Sequence, residues 1–464
     1  MRAYIFADTL GRALSFKGYD LKHVINITDV GHLTSDADAG DDKMEKAATA
    51  QGKTAWDIAR FYQADFEADL ARLNINKPEH PKATDYVAAM IDWAKAIEAK
   101  HCYQLEGGLY FDISTVPNYG ALARANTDDG VSRIDPVAGK RNPQDFAIWR
   151  TTPPDETRQM EWDSPWGRGA PGWHLECSVM SGAILGFPFD IHTGGIDHRE
   201  IHHPCEIAQN QAHEGCADSG ARIWMHNNFL IDRTKSKDSG KMSKSSGEFL
   251  RLQTLVDKGF HPLAYRLMCL QAHYRSEMEF TWEGLAAAFT RLKRLVSTIE
   301  RVRLAAPSKK VIDQGSYTPQ NEDFWMNRTP VDIDQDVYND SIQYQTIGAF
   351  NHFVGDDLNM PNALRTVEQL FDPGGNSGMK LEVLGRLDKI LGLTLESLTR
   401  EDLRIRPASA TLSEDNIEAR LTERKVARAA KDFATSDRIR DDLIAGGVEV
   451  MDGDPLGWDW KLDI

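Results

Sequence analysis

In this chain a helix precedes the first strand, and that order restricts the folds open to it. Residues 3–16, AYIFADTLGRALSF, set Ile5, Phe6, Leu10, Ala13, Leu14 and Phe16 on one helical stripe. HVINIT follows at 23–28, a short β-branched run with the look of a buried strand. FDIHTGG (189–195) and IWMHNNFLI (223–231) bring the strand pattern back, each ending at residues suited to a site at strand C-termini. Strands interleaved with helical segments argue for an α/β protein built on a doubly wound, Rossmann-like parallel sheet. Such a sheet opens with a strand and a glycine-containing turn that feeds the first helix. The chain is therefore expected to begin inside its own fold.

Between those strand signals lies a segment with the character of an insertion, about 54–160. WDIARFYQADFEADLARL and YVAAMIDWAKAIEAK are amphipathic helices, GLYFDIS is a short β signal, and a turn-rich stretch runs on to about residue 160. Beyond 281 the pattern becomes helical: Leu285, Ala288, Phe289, Leu292, Leu295, Val296, Ile299 and Val302 share one stripe of a bundle helix. A polar linker at about 306–330 separates it from further helices. The expected organisation is a catalytic domain over 1–245, a connecting region over 246–280, a helical bundle over 281–400 and a small terminal unit over 401–464. In that last unit Arg424, Arg428, Lys431 and Arg438 recur at spacings of four, three and seven, giving a basic helical face. It is either a solvated surface or a contact for RNA.

Composition narrows the function classes. The 464 residues suffice for two to four domains, and 41% hydrophobic with 27% charged residues is an ordinary globular balance. No apolar run has the length of a membrane span and the first residues lack a secretory h-region, so a cytoplasmic protein without membrane contact is expected. Five scattered cysteines argue against a disulfide framework and leave thiol or metal chemistry open. A formal net charge of -16 argues against binding DNA non-specifically, although local basic patches can still hold a folded RNA.

Against that acidity, SGKMSKSSGEF (239–249) sets Lys241 and Lys244 three apart among serines and glycines. Glycines at 240 and 247 disfavour a helix, and two ammonium groups in one loop repel unless an anion neutralises them. The loop is an exposed basic surface or a polyphosphate site, where such lysines stabilise developing charge. A second constellation joins Trp173, His174 and Cys177 in GWHLECS with His202, His203, Cys205 and Glu206 in IHHPCEIAQ. His202 and Glu206 are four apart and share a helical face, so with Cys177 they form a mixed S, N, O set suited to Zn²⁺. The alternative is that these side chains pack as core.

Taken together, NITDVGHLTSDAD, YFDIS, WDSPWGRGAPGWHLECS, DIHTGGIDH, KMSKS, AHYRS and DDLNMPNAL, in this order, resemble the cysteinyl-tRNA synthetases of class I, and the resemblance runs the length of the chain. It implies that L-cysteine reacts with ATP, with Mg²⁺, to give cysteinyl-adenylate, and that the cysteinyl group passes to tRNA(Cys). By the same resemblance Cys177, His202 and Glu206 are zinc ligands, and Lys244 contacts ATP with Lys241 beside it. Thr28, Trp173 and His192 line the amino-acid pocket, Asp197 meets the nucleotide, and a monomer is expected. The family's first signature, His-Ile-Gly-His or its Asn variant, and its first zinc cysteine fall before the helix that opens this sequence. The 464-residue form is accordingly expected to lack a nucleotide-binding turn and one metal ligand. Cys205, in the place of a polar residue of the family, is then either a substitute ligand or a buried small apolar side chain. Two other functions compete: a ligase joining cysteine to a small amine, and a non-catalytic tRNA-binding paralogue.

Overall fold

The structure is a computed structural model that describes residues 1–30, 43–123, 137–231, 251–306, 342–373 and 376–464. Lys241 and Lys244 lie outside the described residues, as do Gly31, His32 and most of the polar linker. The chain forms two compact units: one of Met1–Asp20, Arg72–Ile75 and Phe229–Ile464, the other of Leu21–Ala71 and Asn76–Asn228. Among the described residues no helix is long and apolar enough to cross a membrane.

The first unit opens with α1 (Arg2–Phe16), whose Ile5, Phe6 and Ala13 are buried, as the helical stripe requires.

In the second unit, α2 (Lys43–Gln51) and α3 (Ala55–Arg72) lead to α4 (Val87–His101), which buries Val87, Met90, Ala94 and Ile97 at helical spacing. An antiparallel sheet follows, of β1 (Cys102–Leu105), β2 (Gly108–Phe111), β3 (Phe146–Thr151) and β4 (Gly169–Pro171), in that spatial order. Gly108 has φ +135°, and a Cβ there would run into the Trp149 carbonyl of β3, so the strands close up only around glycine. Strand β3 lies within the stretch that the sequence marks as turn-rich. Phe146, Ala147, Ile148 and Trp149 are all buried, so this strand has no polar face to alternate with.

Then come α5 (Trp173–Leu185), β5 (Phe189–Gly195), the short α6 (Ile196–Glu200), α7 (His202–Glu214) and β6 (Ala221–Asn227). Strands β5 and β6 pair in parallel from Phe189↔Ala221 to Gly195↔Asn227, with α6 and α7 as the crossover. The expected α/β character is present here. HVINIT also runs parallel to a neighbour, but only as the isolated bridges Val24↔Glu79 and Ile27↔Lys82. One apolar cluster joins α4, α5, α7 and the antiparallel sheet, through Met90, Ile97, Phe111, Phe146, Leu175 and Cys205 among others.

The rest of the first unit holds a parallel pair, β7 (Leu230–Ile231) with β8 (Met278–Glu279), and the helices α8 (Leu252–Asp257) and α9 (Pro262–Leu270). Helix α10 (Trp282–Ala305) is capped by Thr281, whose hydroxyl accepts the Gly284 N–H at 2.9 Å, and it buries the predicted stripe from Leu285 to Ile299. Helices α11 (Ile342–Gly355), α12 (Met360–Gln369) and α13 (Ser377–Leu391) continue the bundle. The charged side chain of Arg266 is fully buried among these elements. It donates to Leu391 O at 2.6 Å, Leu73 O at 3.0 Å and the Asp8 carboxylate at 2.5 Å.

The terminal residues form α14 (Glu414–Ala429), α15 (Phe433–Ala445) and the antiparallel pair β9 (Val448–Val450) and β10 (Trp458–Trp460). The expected continuous basic face is corrected here. Helix α14 stops at Ala429, Lys431 turns left-handed at φ +61°, and Asp432 caps a new helix by accepting the Thr435 N–H at 3.1 Å. Arg424 is buried and bonds Asp452 through both terminal nitrogens, at 2.6 and 2.8 Å. Arg428, Lys431 and Arg438 remain exposed, on separate segments.

Candidate metal centre

Helix periodicity assembles the centre. The first turns of α5 put Trp173 and Cys177 on one face, and the start of α7 does the same for His202 and Glu206. Helix α6 follows directly from the carboxyl end of β5 and leads into α7, whose His203 ring lies 4.6 Å, centroid to centroid, from that of His192 in the middle of the strand. The Cys177 Sγ lies 3.4 Å from His202 Nε2, and that nitrogen lies 3.0 Å from Glu206 Oε1. Ligand atoms of Cys177, His202 and Glu206 all fall within 4.8 Å of one another. The three residues given the metal role by resemblance are thus brought together.

The surroundings suit a cation. Glu206 is 1% exposed, and its Oε1, although 3.0 Å from His202 Nε2, accepts no aligned hydrogen bond. A buried carboxylate oxygen without a donor is costly, and a metal ion would satisfy it. Burial works to raise the Glu206 pKa, yet the imidazoles of His192 and His202 outweigh it and hold the carboxyl well below its usual range. Burial, then the carboxylates of Glu206 and Glu176, push the Cys177 thiol well above its ordinary value. A divalent cation reverses that balance and makes the sulfur a thiolate. Thiolate, imidazole and carboxylate are a donor set for Zn²⁺.

The residues that the resemblance assigns to the amino-acid pocket gather around the same point. Thr28 Oγ1 accepts from the Asn26 side-chain amide at 3.1 Å, and that amide also reaches Cys177 Sγ at 3.7 Å. The Trp173 ring lies against His202, with centroids 4.3 Å apart. His192 Nε2 is 3.4 Å from Glu206 Oε2. Asp197 sits in the first turn of α6, just past Gly195, where a Cβ would strike its carboxylate. Cys205, in contrast, belongs to the apolar cluster, with its sulfur 3.5 Å from the Tyr119 hydroxyl. Among the described residues it is in neither group of gathered ligand atoms, so the substitute-ligand expectation is corrected to a packing role.

Four residues around the centre had no role assigned from the sequence. His174 Nδ1 lies 2.7 Å from His202 Nδ1, which orients the His202 ring with Nε2 toward Cys177. His203 and His226 pair at 2.8 Å, and Asn26 bridges Thr28 to Cys177. Burial lowers His174, and it lowers His226 to about 4, so both rings stay neutral. The local signal was the doubled histidine in IHHPCE and the asparagine of NITD.

Comparison with known proteins identifies the family. The family described as tRNA synthetases class I (C) catalytic domain matches residues 1–290. The cysteine–tRNA ligase of Novosphingobium aromaticivorans is 58% identical over 474 residues, covering 100% of this chain and 89% of the relative. That of Zymomonas mobilis subsp. mobilis is 51% identical, covering 99% of this chain and 90% of the relative. The crystal structure of Mycobacterium tuberculosis methionyl-tRNA synthetase bound by methionyl-adenylate aligns with a TM-score of 0.50 at 15% identity, over 87% of this chain and 86% of that one. At such identity the likeness speaks for the fold alone, and it is the Rossmann-like class I fold expected from the strand order. With a matching family model over more than half its length and relatives alike from end to end, the chain belongs to the cysteine–tRNA ligase family of class I synthetases.

Proposed function

We propose that the chain activates L-cysteine with ATP, in the presence of Mg²⁺, and transfers the cysteinyl group to tRNA(Cys). The observation that carries the proposal is the buried group of Cys177, His202 and Glu206 in a member of this family. Cysteine and serine differ by one atom, and pocket shape alone separates such near-isosteres by roughly 200-fold at most. Zn²⁺ held by Cys177, His202 and Glu206 would favour a substrate thiol over a hydroxyl by direct coordination.

The protein's own groups do the rest. His174 fixes the His202 ring, and Asn26 holds Thr28 beside Cys177. Trp173, whose ring lies against His202, and His192, 3.4 Å from Glu206, are assigned to the wall of the amino-acid pocket. Asp197 is assigned to the nucleotide, and Lys241 with Lys244 to the ATP phosphates, where their charge favours the transition state of adenylate formation. The bundle and the terminal unit are assigned to tRNA. The test is cysteine-dependent exchange of pyrophosphate into ATP, followed by charging of a tRNA(Cys) transcript. A cysteine preference over serine above about 200-fold is expected. Equal exchange with serine, or none with cysteine, refutes the proposal; exchange without charging moves it to the ligase with a small-amine acceptor.

A further inference from the structure

His203 takes no part in the Cys177, His202 and Glu206 group, yet it is only 1% exposed. Its Nδ1 lies 2.8 Å from His226 Nε2, and its own Nε2 is buried without a hydrogen-bond partner. Two neutral tautomers are open to this ring. With the proton on Nε2 it buries a donor that has no acceptor; with the proton on Nδ1 it donates to His226 and leaves a bare lone pair on the buried Nε2. Orphaned donors are the rarer of the two, so the second form is favoured. It is also the form in which a histidine binds a metal, one nitrogen donating outward and the other ligating.

A ring nitrogen of His192, one of His203 and an oxygen of Glu206 fall within 4.8 Å of one another. The two oxygens of Glu206 are divided between two sets of donors. Oε1 lies against His202 at 3.0 Å, on the side of Cys177, and Oε2 lies 3.4 Å from His192 Nε2. A carboxylate shared in this way is the usual bridge between two divalent ions, which sit about 3.5–4 Å apart in such pairs. Gly194 makes the space: a Cβ there would come within 2.7 Å of His203 Cε1 and 3.0 Å of His198 Nδ1.

From this geometry we infer that His192, His203 and Glu206 form a second position for an imidazole-preferring divalent cation such as Zn²⁺ or Co²⁺, adjoining the first through Glu206. The inference rests on the proposed zinc role of Cys177, His202 and Glu206. The second position is the weaker one, because the first adds a thiolate to its share of Glu206, whereas the second adds only imidazoles. An ion there occupies His192, a residue assigned to the cysteine pocket. Excess metal therefore competes with cysteine.

The test uses the purified full chain, first loaded with one equivalent of Zn²⁺ and then titrated with Co²⁺ alone, followed by calorimetry and visible absorption. One further equivalent is expected, about tenfold or more weaker than the first, with d–d absorption and no added sulfur-to-cobalt charge transfer. His203→Phe removes that equivalent and keeps the first. His226→Phe, which leaves His203 in place but strips its partner, weakens the second equivalent about 10–100-fold. A chain that takes up a single equivalent overturns the inference, as does a His203→Phe protein that still binds two. Failure of the first reading has a different signature: loading the metal-free chain with Co²⁺ then gives no sulfur-to-cobalt charge transfer, and Cys177→Ser leaves the first equivalent unchanged.

Discussion

Replacing Asp388 with asparagine should flatten the pH dependence of the first unit's stability. The carboxylate ends α13, accepting the Leu393 N–H at 2.9 Å and the Leu395 N–H at 2.6 Å, and it is 7% exposed. Those amides and the nearby guanidiniums of Arg266 and Arg12 favour the ionised form, but burial outweighs them and raises the pKa from 3.8 to about 6. A carboxyl raised on folding adds stability that is fully present below the unfolded pKa and lost as pH climbs through the folded one. The full loss is about 3 kcal/mol, from a shift of about 2.2 units at 1.36 kcal/mol each, and about 1.4 kcal/mol of it falls between about pH 5 and about pH 7.5. The substituted amide cannot titrate. It shifts the whole curve by its altered hydrogen bonds but adds no slope, so subtracting the two proteins' urea-unfolding free energies across pH isolates the carboxyl from all other groups. The advantage of the natural protein over Asp388→Asn should shrink by about 1.4 kcal/mol as pH rises over the window. Parallel curves, or an advantage that grows with pH, would refute the reasoning.

Arg266→Met should destabilise the first unit by about 1–3 kcal/mol in denaturant titration, because it leaves the Leu73 and Leu391 carbonyls without that donor and the buried Asp8 carboxylate with Arg12 in place of two guanidiniums; a loss below about 0.5 kcal/mol would show the network to be dispensable. Arg428→Glu with Lys431→Glu should weaken tRNA(Cys) binding and reduce its salt dependence while leaving ATP binding intact, since both residues are exposed. Arg424→Glu should instead loosen the terminal unit, read as a lower melting temperature, because Arg424 is buried and bonds Asp452 through both terminal nitrogens, whereas Arg428 reaches the same carboxylate at 3.0 Å from an exposed position; equal behaviour of the two sets would count against the division. Lys244→Ala should cost about 2.7–4 kcal/mol in adenylate formation, measured by pyrophosphate exchange, with cysteine binding retained.

What could be read from the sequence was whatever a local pattern encodes. The stripe of α10 and the i, i+4 pair of His202 and Glu206 were visible because helix geometry maps spacing onto a face. Strand β3 was missed because both its faces are buried, which erases the period of two. The basic face of the terminal unit failed for an opposite reason: the spacing was carried straight through Lys431 and Asp432, although an aspartate before Phe433 is a helix-start signal. Nothing local marks Cys205 as core or His203 as orphaned, since each depends on what α4, α5 and β6 bring against α7. The membership of Arg72–Ile75 in the first unit is equally hidden, being fixed by a side chain 193 residues further along.

The bond from Arg266 to Asp8 spans 258 residues, and this sets a clock for the chain as it is made. At roughly 5–20 residues per second on the ribosome, α1 waits on the order of 13–50 s after Asp8 is made before its partner is synthesised. During that interval the helix has an apolar stripe that waits for cover and a carboxylate served only by Arg12 of the same helix, while the residues of the metal centre, all between 26 and 226, are complete before Arg266 is added. Synthesis therefore finishes the centre before α1 meets its long-range charge partner, and slowing or stalling before residue 266 prolongs the interval in which Asp8 has Arg12 but not Arg266.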